Sequence, residues 1–148
     1  MEVGIRVARV GDVPAIVEML ADDPLGAGRE RPGDPGYVAA FEEVERDPRQ
    51  VLAVAVLDGE VVGTLQLTCT PGLSRVGMVR GTIEAVRVRG DLRGRRIGEA
   101  LVGWALEEAR RRGCGVVQLT TDASRVDAHR FYERLGFSAS HVGMKLAL

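Results

Sequence analysis

The feature that most constrains the fold is a short arginine- and glycine-rich turn at residues 93–98, with the sequence RGRRIG. A β-branched segment at 82–88 precedes it, and a long helix-forming segment at 99–112 follows it. The first N–H groups of a helix have no partner within the helix, and the macrodipole adds partial positive charge there. Arginine side chains add full charges and paired donors. The pattern therefore predicts a strand–turn–helix unit that binds a phosphate or pyrophosphate.

The turn differs from the two best-known phosphate-binding sequences. It lacks the Lys-Ser/Thr pair of the P-loop, and it does not follow the pattern GxGxxG of dinucleotide-binding loops. Arginines are nevertheless concentrated around it, although the whole chain has a formal net charge of −1. A local basic cluster in a nearly neutral protein indicates a small anionic ligand rather than nucleic acid or a membrane surface.

Length and composition predict one ordinary globular domain over residues 1–148. Apolar residues make up 45% of the chain and charged residues 28%, and the length is sufficient for a hydrophobic core. The N-terminus has no signal-peptide pattern, and no apolar run approaches the roughly 18 residues of a membrane span. Cys69 and Cys114 have no metal-ligand spacing. We therefore expect a cytoplasmic protein with neither a metal nor a membrane partner.

Hydrophobic periodicity and turn residues predict the element order βααβββαβαββ. The strand–helix–strand unit at 82–121 should place its two strands in parallel. The expected fold is α/β, with a central twisted mixed sheet and helices on both faces. We expect helices at 13–20, 37–46, 99–112 and 127–135. We expect strands at 5–8, 51–57, 61–70, 78–88, 116–121, 137–140 and 142–146.

Two motifs resemble hallmarks of the GNAT superfamily of acetyl-CoA-dependent N-acetyltransferases. The turn is similar to the family's pyrophosphate loop (Arg or Gln, two residues, Gly, one residue, Gly or Ala), with Arg93 and Gly98 at its ends. Arg96 stands where the family usually has Gly. The segment AHRFYERLGF at 128–137 resembles the family pattern AxxF/LYxxxGF, and Arg125 stands where many members have Asn. The predicted element order is also similar to the GNAT topology, so the resemblance covers essentially the whole chain.

The resemblance implies a catalytic site for acyl transfer. Glu84 would act as the general base, directly or through a water, although it could instead pair with Arg87 or with a cationic substrate. Tyr132 would protonate or stabilise the CoA thiolate. A backbone N–H at Val86 or a neighbour, where the strand is bulged, would bind the oxyanion. The residues implied to contact the cofactor are Val86, Arg87, Val88, Arg93, Gly94, Arg95, Arg96, Ile97, Gly98, Arg125, Ala128 and Phe131.

The implied reaction moves an acetyl group from acetyl-CoA to a primary amine of a small molecule or a protein, by direct attack in a ternary complex. Two alternatives stay open: a different acyl-CoA donor, and a CoA-binding regulatory module without catalysis. The presence of both Glu84 and Tyr132 favours an enzyme. The acceptor is expected to contact the loops at 22–36 and 71–77. A homodimer is compatible with the apolar C-terminal residues Met144, Leu146 and Leu148.

Overall fold

The computed structural model describes residues 2–148, and the chain forms two compact units, Met1–Gln118 and Leu119–Leu148. We call them the N-terminal unit and the C-terminal unit. The N-terminal unit contains the whole β-sheet. Its strands are β1 (Gly4–Val7), β2 (Gln50–Leu57), β3 (Glu60–Thr70), β4 (Val79–Val88) and β5 (Cys114–Gln118). Its helices are α1 (Val13–Ala21), α2 (Gly36–Arg46) and α4 (Ile97–Arg111). The segment that we call α3 (Ser74–Gly77) is a single left-handed turn, with φ values of 54° and 59° at Arg75 and Val76.

The sheet is mixed, and its strands lie in the order β1-β2-β3-β4-β5. Neighbouring strands are antiparallel from β1 to β4. Strands β4 and β5 are parallel neighbours, and α4 connects them along the chain. The predicted parallel strand–helix–strand unit is therefore confirmed. The tight turn between β2 and β3 follows from its sequence, since Asp58 and Gly59 have φ values of 51° and 79°. A type I′ turn requires positive φ at both central positions.

Helices cover both faces of the sheet, as predicted. On one face, Val54 of β2 is buried with Phe41 of α2 and with the apolar side of α1. Val54 pairs with Thr64 across the β2–β3 ladder, so the adjacent Gly63 faces the opposite side. There, a Cβ atom added to Gly63 would lie 2.8 Å from Leu101 of α4. The glycine therefore permits the close approach of α4 to the sheet.

Asp12 fixes the chain where α1 begins. Its carboxylate accepts the backbone N–H of Arg9 at 2.7 Å and two hydrogen bonds from the Arg6 guanidinium, at 2.7 and 3.0 Å. Hydrogen bonds from Arg6 hold the pKa of the Asp12 carboxyl below its usual range, against the opposing effect of burial. Pro14 occupies the first turn of α1, where its missing N–H costs nothing.

The C-terminal unit contains one regular element, α5 (Val126–Arg134). The strands predicted at 137–140 and 142–146 are wrong, because the structure has no regular strand over 137–148. Alternating apolar residues satisfy the side-chain pattern of a strand, but a strand also needs a partner for its backbone N–H and C=O groups. Among the described residues no ladder includes this segment.

Candidate functional site

The predicted phosphate turn lies between β4 and α4. A single 3-10 turn at Gly90–Leu92 follows β4, and the chain then passes through Gly94 at a φ of 82°. Helix α4 begins at Ile97, and its N-cap residue, Arg96, makes no side-chain cap. The N–H groups of the first turn of α4 are therefore left for a ligand, which is the arrangement that binds phosphate at helix starts.

Arg96 takes the backbone conformation of a glycine. Its φ of 63° and ψ of 16° lie in the left-handed region. For a residue with a Cβ atom this region costs about 1–2 kcal/mol. The turn thus keeps the shape that a glycine would give it, at the cost of local strain.

The arginines of the turn are exposed beside the start of α4. Arg93 donates from Nη2 to the backbone oxygen of Asp22 at 3.3 Å and lies 3.9 Å from its carboxylate. The turn therefore contacts the segment that follows α1. Arg95 and Arg96 are exposed next to it, and the three guanidinium groups give the helix start a positive environment for an anion.

A β-bulge interrupts β4 just before the turn. Glu84 and Arg87 pair with residues of β3 that are only two positions apart, so Ala85 and Val86 together oppose one residue of β3. Ala85 accordingly has a φ of 52°. A bulge takes backbone groups out of the regular ladder and is frequent beside active sites. The bulge that the resemblance implied at Val86 is therefore present.

Strand β4 separates from β5 before it reaches the bulge. The β4–β5 ladder ends where Thr82 pairs with Gln118, whereas β4 itself continues to Val88. Among the described residues, β3 is the only strand that pairs with 83–88. The other edge of this stretch offers backbone donors and acceptors to an extended ligand that leads toward the arginine turn.

Glu84 lies immediately before the bulge and is exposed. It pairs across the ladder with Gln66, on the same face of the sheet as Thr82. The structure does not support the alternative in which Glu84 pairs with Arg87. The Nε atom of Arg87 lies 2.9 Å from Oδ2 of Asp23 instead.

The Asp23–Arg87 ion pair is largely buried, with 9% and 13% of the two side chains exposed. Asp23 also accepts the backbone N–H of Gly26 at 2.6 Å. The pair therefore ties the loop after α1 to the bulged end of β4. The sequence analysis missed Asp23, because an aspartate in a polar loop and a distant arginine form no local pattern. It assigned Arg87 to the cofactor, whereas the Arg87 side chain is used in this pair.

In the C-terminal unit, two aromatic rings pack against Tyr132, the predicted thiolate-stabilising residue. The ring of Tyr132 meets those of Phe131 and Phe137 edge to face, with centroids 5.0 and 5.8 Å apart. Tyr132, Phe131 and Ala128 are half-buried on one stripe of α5, as the sequence predicts. Arg125 is the N-cap residue of this helix. Edge-to-face arrangements are a preferred geometry of aromatic pairs, so these contacts stabilise the observed position of the tyrosine ring.

The two cysteines do not form a nucleophilic centre. Cys69 and Cys114 are free thiols whose sulfur atoms lie 3.5 Å apart. Burial raises the pKa of the Cys114 thiol to about 11, so this group is protonated at neutral pH and reacts poorly. Residues 2–148 contain no group of three His, Cys, Asp or Glu side chains placed to hold a metal ion. No helix in the same range is both long and apolar enough to span a membrane.

Fold and site together define an α/β protein with an uncapped helix start flanked by arginines and an unpaired strand edge leading to it. A family model described as the acetyltransferase (GNAT) family matches residues 13–137. The chain belongs to the GNAT family of acetyltransferases. A relative from Salmonella typhimurium, aminoalkylphosphonate N-acetyltransferase, is 39% identical over 102 residues, or 69% of this chain. That match covers 66% of the relative, slightly less than two thirds of its length.

Two solved structures resemble the whole chain. A crystal structure described as a transcriptional regulator from Bacillus halodurans C-125 is 51% identical, with a TM-score of 0.96 over 99% of this chain and 100% of the other. A putative acetyltransferase from Agrobacterium tumefaciens str. C58 is 29% identical, with a TM-score of 0.86 over 98% and 99% of the two chains. These similarities confirm the predicted α/β fold class.

Proposed function

We propose that this chain is an N-acetyltransferase that moves an acetyl group from acetyl-CoA to a primary amine of a small molecule or a protein. The observation that carries the proposal is the bulged β4 strand leading into the uncapped start of α4. The pyrophosphate of acetyl-CoA would bind the N–H groups of α4 and the arginine turn. The pantetheine arm would bind the free edge of 83–88 through backbone hydrogen bonds, with Val86 and Val88 as partners.

In the proposed reaction, the neutral amine attacks the thioester carbonyl carbon directly. A C–N bond forms, the C–S bond breaks, and the amine proton passes to Glu84 or to a water that Glu84 holds. The oxyanion accepts a hydrogen bond from a backbone N–H at the bulge. The CoA thiolate leaves and takes a proton from the Tyr132 hydroxyl, which solvent then restores. No acyl-enzyme forms.

Isothermal titration with acetyl-CoA tests the donor site first. We expect a Kd on the order of micromolar, as is common for such substrates. Arg93→Glu should abolish binding, since it places a second negative charge beside Asp22 at the pyrophosphate position. Arg110→Glu is the matched control, because Arg110 is an exposed arginine on the last turn of the same helix. Equal loss with both variants, or no binding by the wild type, would contradict the proposal.

Turnover separates an enzyme from a CoA-binding regulatory module, the alternative suggested by the resemblance to a chain described as a transcriptional regulator. We expect wild-type protein to acetylate amines, and Glu84→Gln and Tyr132→Phe each to lower kcat about 100-fold while acetyl-CoA still binds. Binding without any turnover, with acetyl-, propionyl- and succinyl-CoA alike, would favour the regulatory module. Faster transfer from another acyl-CoA would change the donor and leave the reaction class unchanged.

Two properties of the whole chain belong to the same proposal. We propose that residues 1–148 act as one acyltransferase domain, because the family match runs through both units. We also propose a homodimer, since residues 142–148 expose apolar side chains at alternate positions. These are Val142, Met144, Leu146 and Leu148.

Relatives of this chain are named for different acceptors. The name of the Salmonella relative specifies aminoalkylphosphonates, and that of a Streptomyces lavendulae relative specifies streptothricin. An aminoalkylphosphonate carries an amine, which supports an amine acceptor for this chain.

A further inference from the structure

The sheet carries a polar surface on the face that α1 and α2 cover only in part. Cross-strand pairing places three rungs of polar side chains side by side on β3 and β4, and the middle rung extends onto β2 and β5. We call this surface the polar platform. Its rungs are Gln66–Glu84, Gln50–Thr68–Thr82–Gln118 and Thr70–Arg80.

The platform is a true face of the sheet rather than a scatter of polar residues. The residues that alternate with it along the two central strands are buried on the opposite face, for example Leu67 and Ile83 at 0% and 2% exposure. Thr68 and Thr82 on the platform are half-buried, and Glu84 and Arg80 are exposed. Period-two alternation therefore separates an apolar face from a polar one.

Hydrogen bonds hold the middle of the platform in place. Oε1 of Gln50 accepts from the Thr68 hydroxyl at 2.8 Å and from Nε2 of Gln66 at 2.9 Å. Gln118 donates to the Thr82 hydroxyl oxygen at 3.4 Å. These bonds orient the side-chain amides. The Thr82 hydroxyl hydrogen, a donor, and the Gln66 Oε1 atom, an acceptor, are left for a bound molecule.

The two ends of the platform carry opposite charges that do not satisfy each other. Among residues 2–148, neither the Arg80 guanidinium nor the Glu84 carboxylate makes a hydrogen bond or an ion pair. They lie on the same face of β4 and are four residues apart. At the usual rise of a strand, their Cα atoms are about 13 Å apart. A molecule with an ammonium group at one end and an acidic group at the other would complement both.

We propose that the polar platform binds the acceptor, and that the acceptor is an amine carrying a carboxylate or phosphonate at the far end of a short chain. This inference rests on the proposed acetyl transfer. Glu84, next to the bulge, receives the ammonium end, which places the nitrogen beside the acetyl group. Arg80 binds the acid group with its paired donors. Arg80 is thus the specificity-determining residue.

The test compares acceptors of similar length with acetyl-CoA as donor: 4-aminobutyrate, 3-aminopropylphosphonate, n-butylamine and butane-1,4-diamine. We expect the kcat/KM for each acid-bearing amine to exceed that for n-butylamine. We call the kcat/KM for an acid-bearing amine divided by the kcat/KM for n-butylamine the acid preference ratio. Arg80→Ala should lower this ratio about tenfold or more, mainly through the KM for the acid-bearing amine, because a charge-assisted pair is lost. Arg80→Glu should shift the preference to the diamine, and Arg80→Lys should restore part of the ratio. The two acid arms distinguish a carboxylate from a phosphonate.

Arg110→Ala is the matched control, since Arg110 is an exposed arginine on α4, against the opposite face of the sheet. Thermal unfolding of each variant shows whether it is folded. A ratio that is the same in wild type and Arg80→Ala would overturn the inference while acetyl transfer to amines stands. If no amine is acetylated by the wild type, the proposed function fails and this inference fails with it.

Discussion

At the scale of single residues, Arg96 has a backbone conformation that is unfavourable for a residue with a Cβ atom. Its left-handed conformation favours glycine. We expect Arg96→Gly to raise the free energy of unfolding by about 0.5–1 kcal/mol, because strain relief exceeds the added entropy of the unfolded chain. Urea unfolding measures the change. Arg95→Gly is the matched control, since Arg95 does not have a positive φ. That substitution relieves no strain, so it should only lower the free energy of unfolding through the greater entropy of the unfolded chain. A similar gain from both variants would show that strain is not the cause.

Also at the residue scale, Asp12 makes stability depend on pH. Its pKa is lowered in the folded chain by Arg6, so its contribution is fully present above the unfolded pKa of about 3.9 and is lost as pH falls through the lower folded pKa. We expect Asp12→Asn to destabilise the protein by about 2 kcal/mol at pH 7 and by less at pH 3, where the loss of the contribution has begun. Urea midpoints at the two pH values measure the difference.

The control for this pH prediction is Asp91→Asn. Hydrogen bonds from Arg89 also lower the pKa of Asp91, but this pair is exposed, and water screens exposed pairs. Its substitution should hardly move the midpoint at either pH. If the cost of Asp12→Asn stayed constant down to pH 3, the Arg6 pair would not be the origin of the stabilisation.

At the scale of elements, the Asp23–Arg87 pair joins the loop after α1 to β4. Removing one partner leaves a largely buried charge, so we expect Asp23→Leu to cost about 3 kcal/mol in unfolding free energy. The double variant Asp23→Leu with Arg87→Met removes both charges and should recover much of that loss. A double-mutant cycle measured by urea unfolding tests this. Additive losses would mean that the two residues act independently.

At the same scale, the sequence pattern predicts some secondary-structure elements correctly and others wrongly. The hairpin at Asp58–Gly59 and the start of α1 follow from local chemistry, and the predicted helices agree with the observed ones within a few residues. Strand β5 ends at Gln118, three residues earlier than predicted, because it parts from β4 there. The last two predicted strands do not form. A strand depends on a partner that its own sequence does not contain.

At the scale of the whole molecule, the proposed homodimer makes a direct prediction. Met144 and Leu146 are 90% and 85% exposed, and association would bury them. We expect the wild type to sediment as a dimer at micromolar concentration, and the double variant Met144→Lys with Leu146→Lys to sediment as a monomer. Leu73→Lys with Val76→Lys is the control, because these two residues are also fully exposed and lie directly before and within α3. A wild-type monomer would contradict the proposal.

Features that depend on neighbours along the chain follow from local sequence alone. Local propensity and periodicity predict the arginine turn, the helices around it and the aromatic stripe of α5. The two motifs that resemble the family lie in the same segments. The tertiary structure alone decided the Asp23–Arg87 pair, the left-handed Arg96, the separation of β4 from β5 and the rungs of the polar platform. These depend on strand register and on contacts between distant residues, which are fixed only when the whole sheet packs.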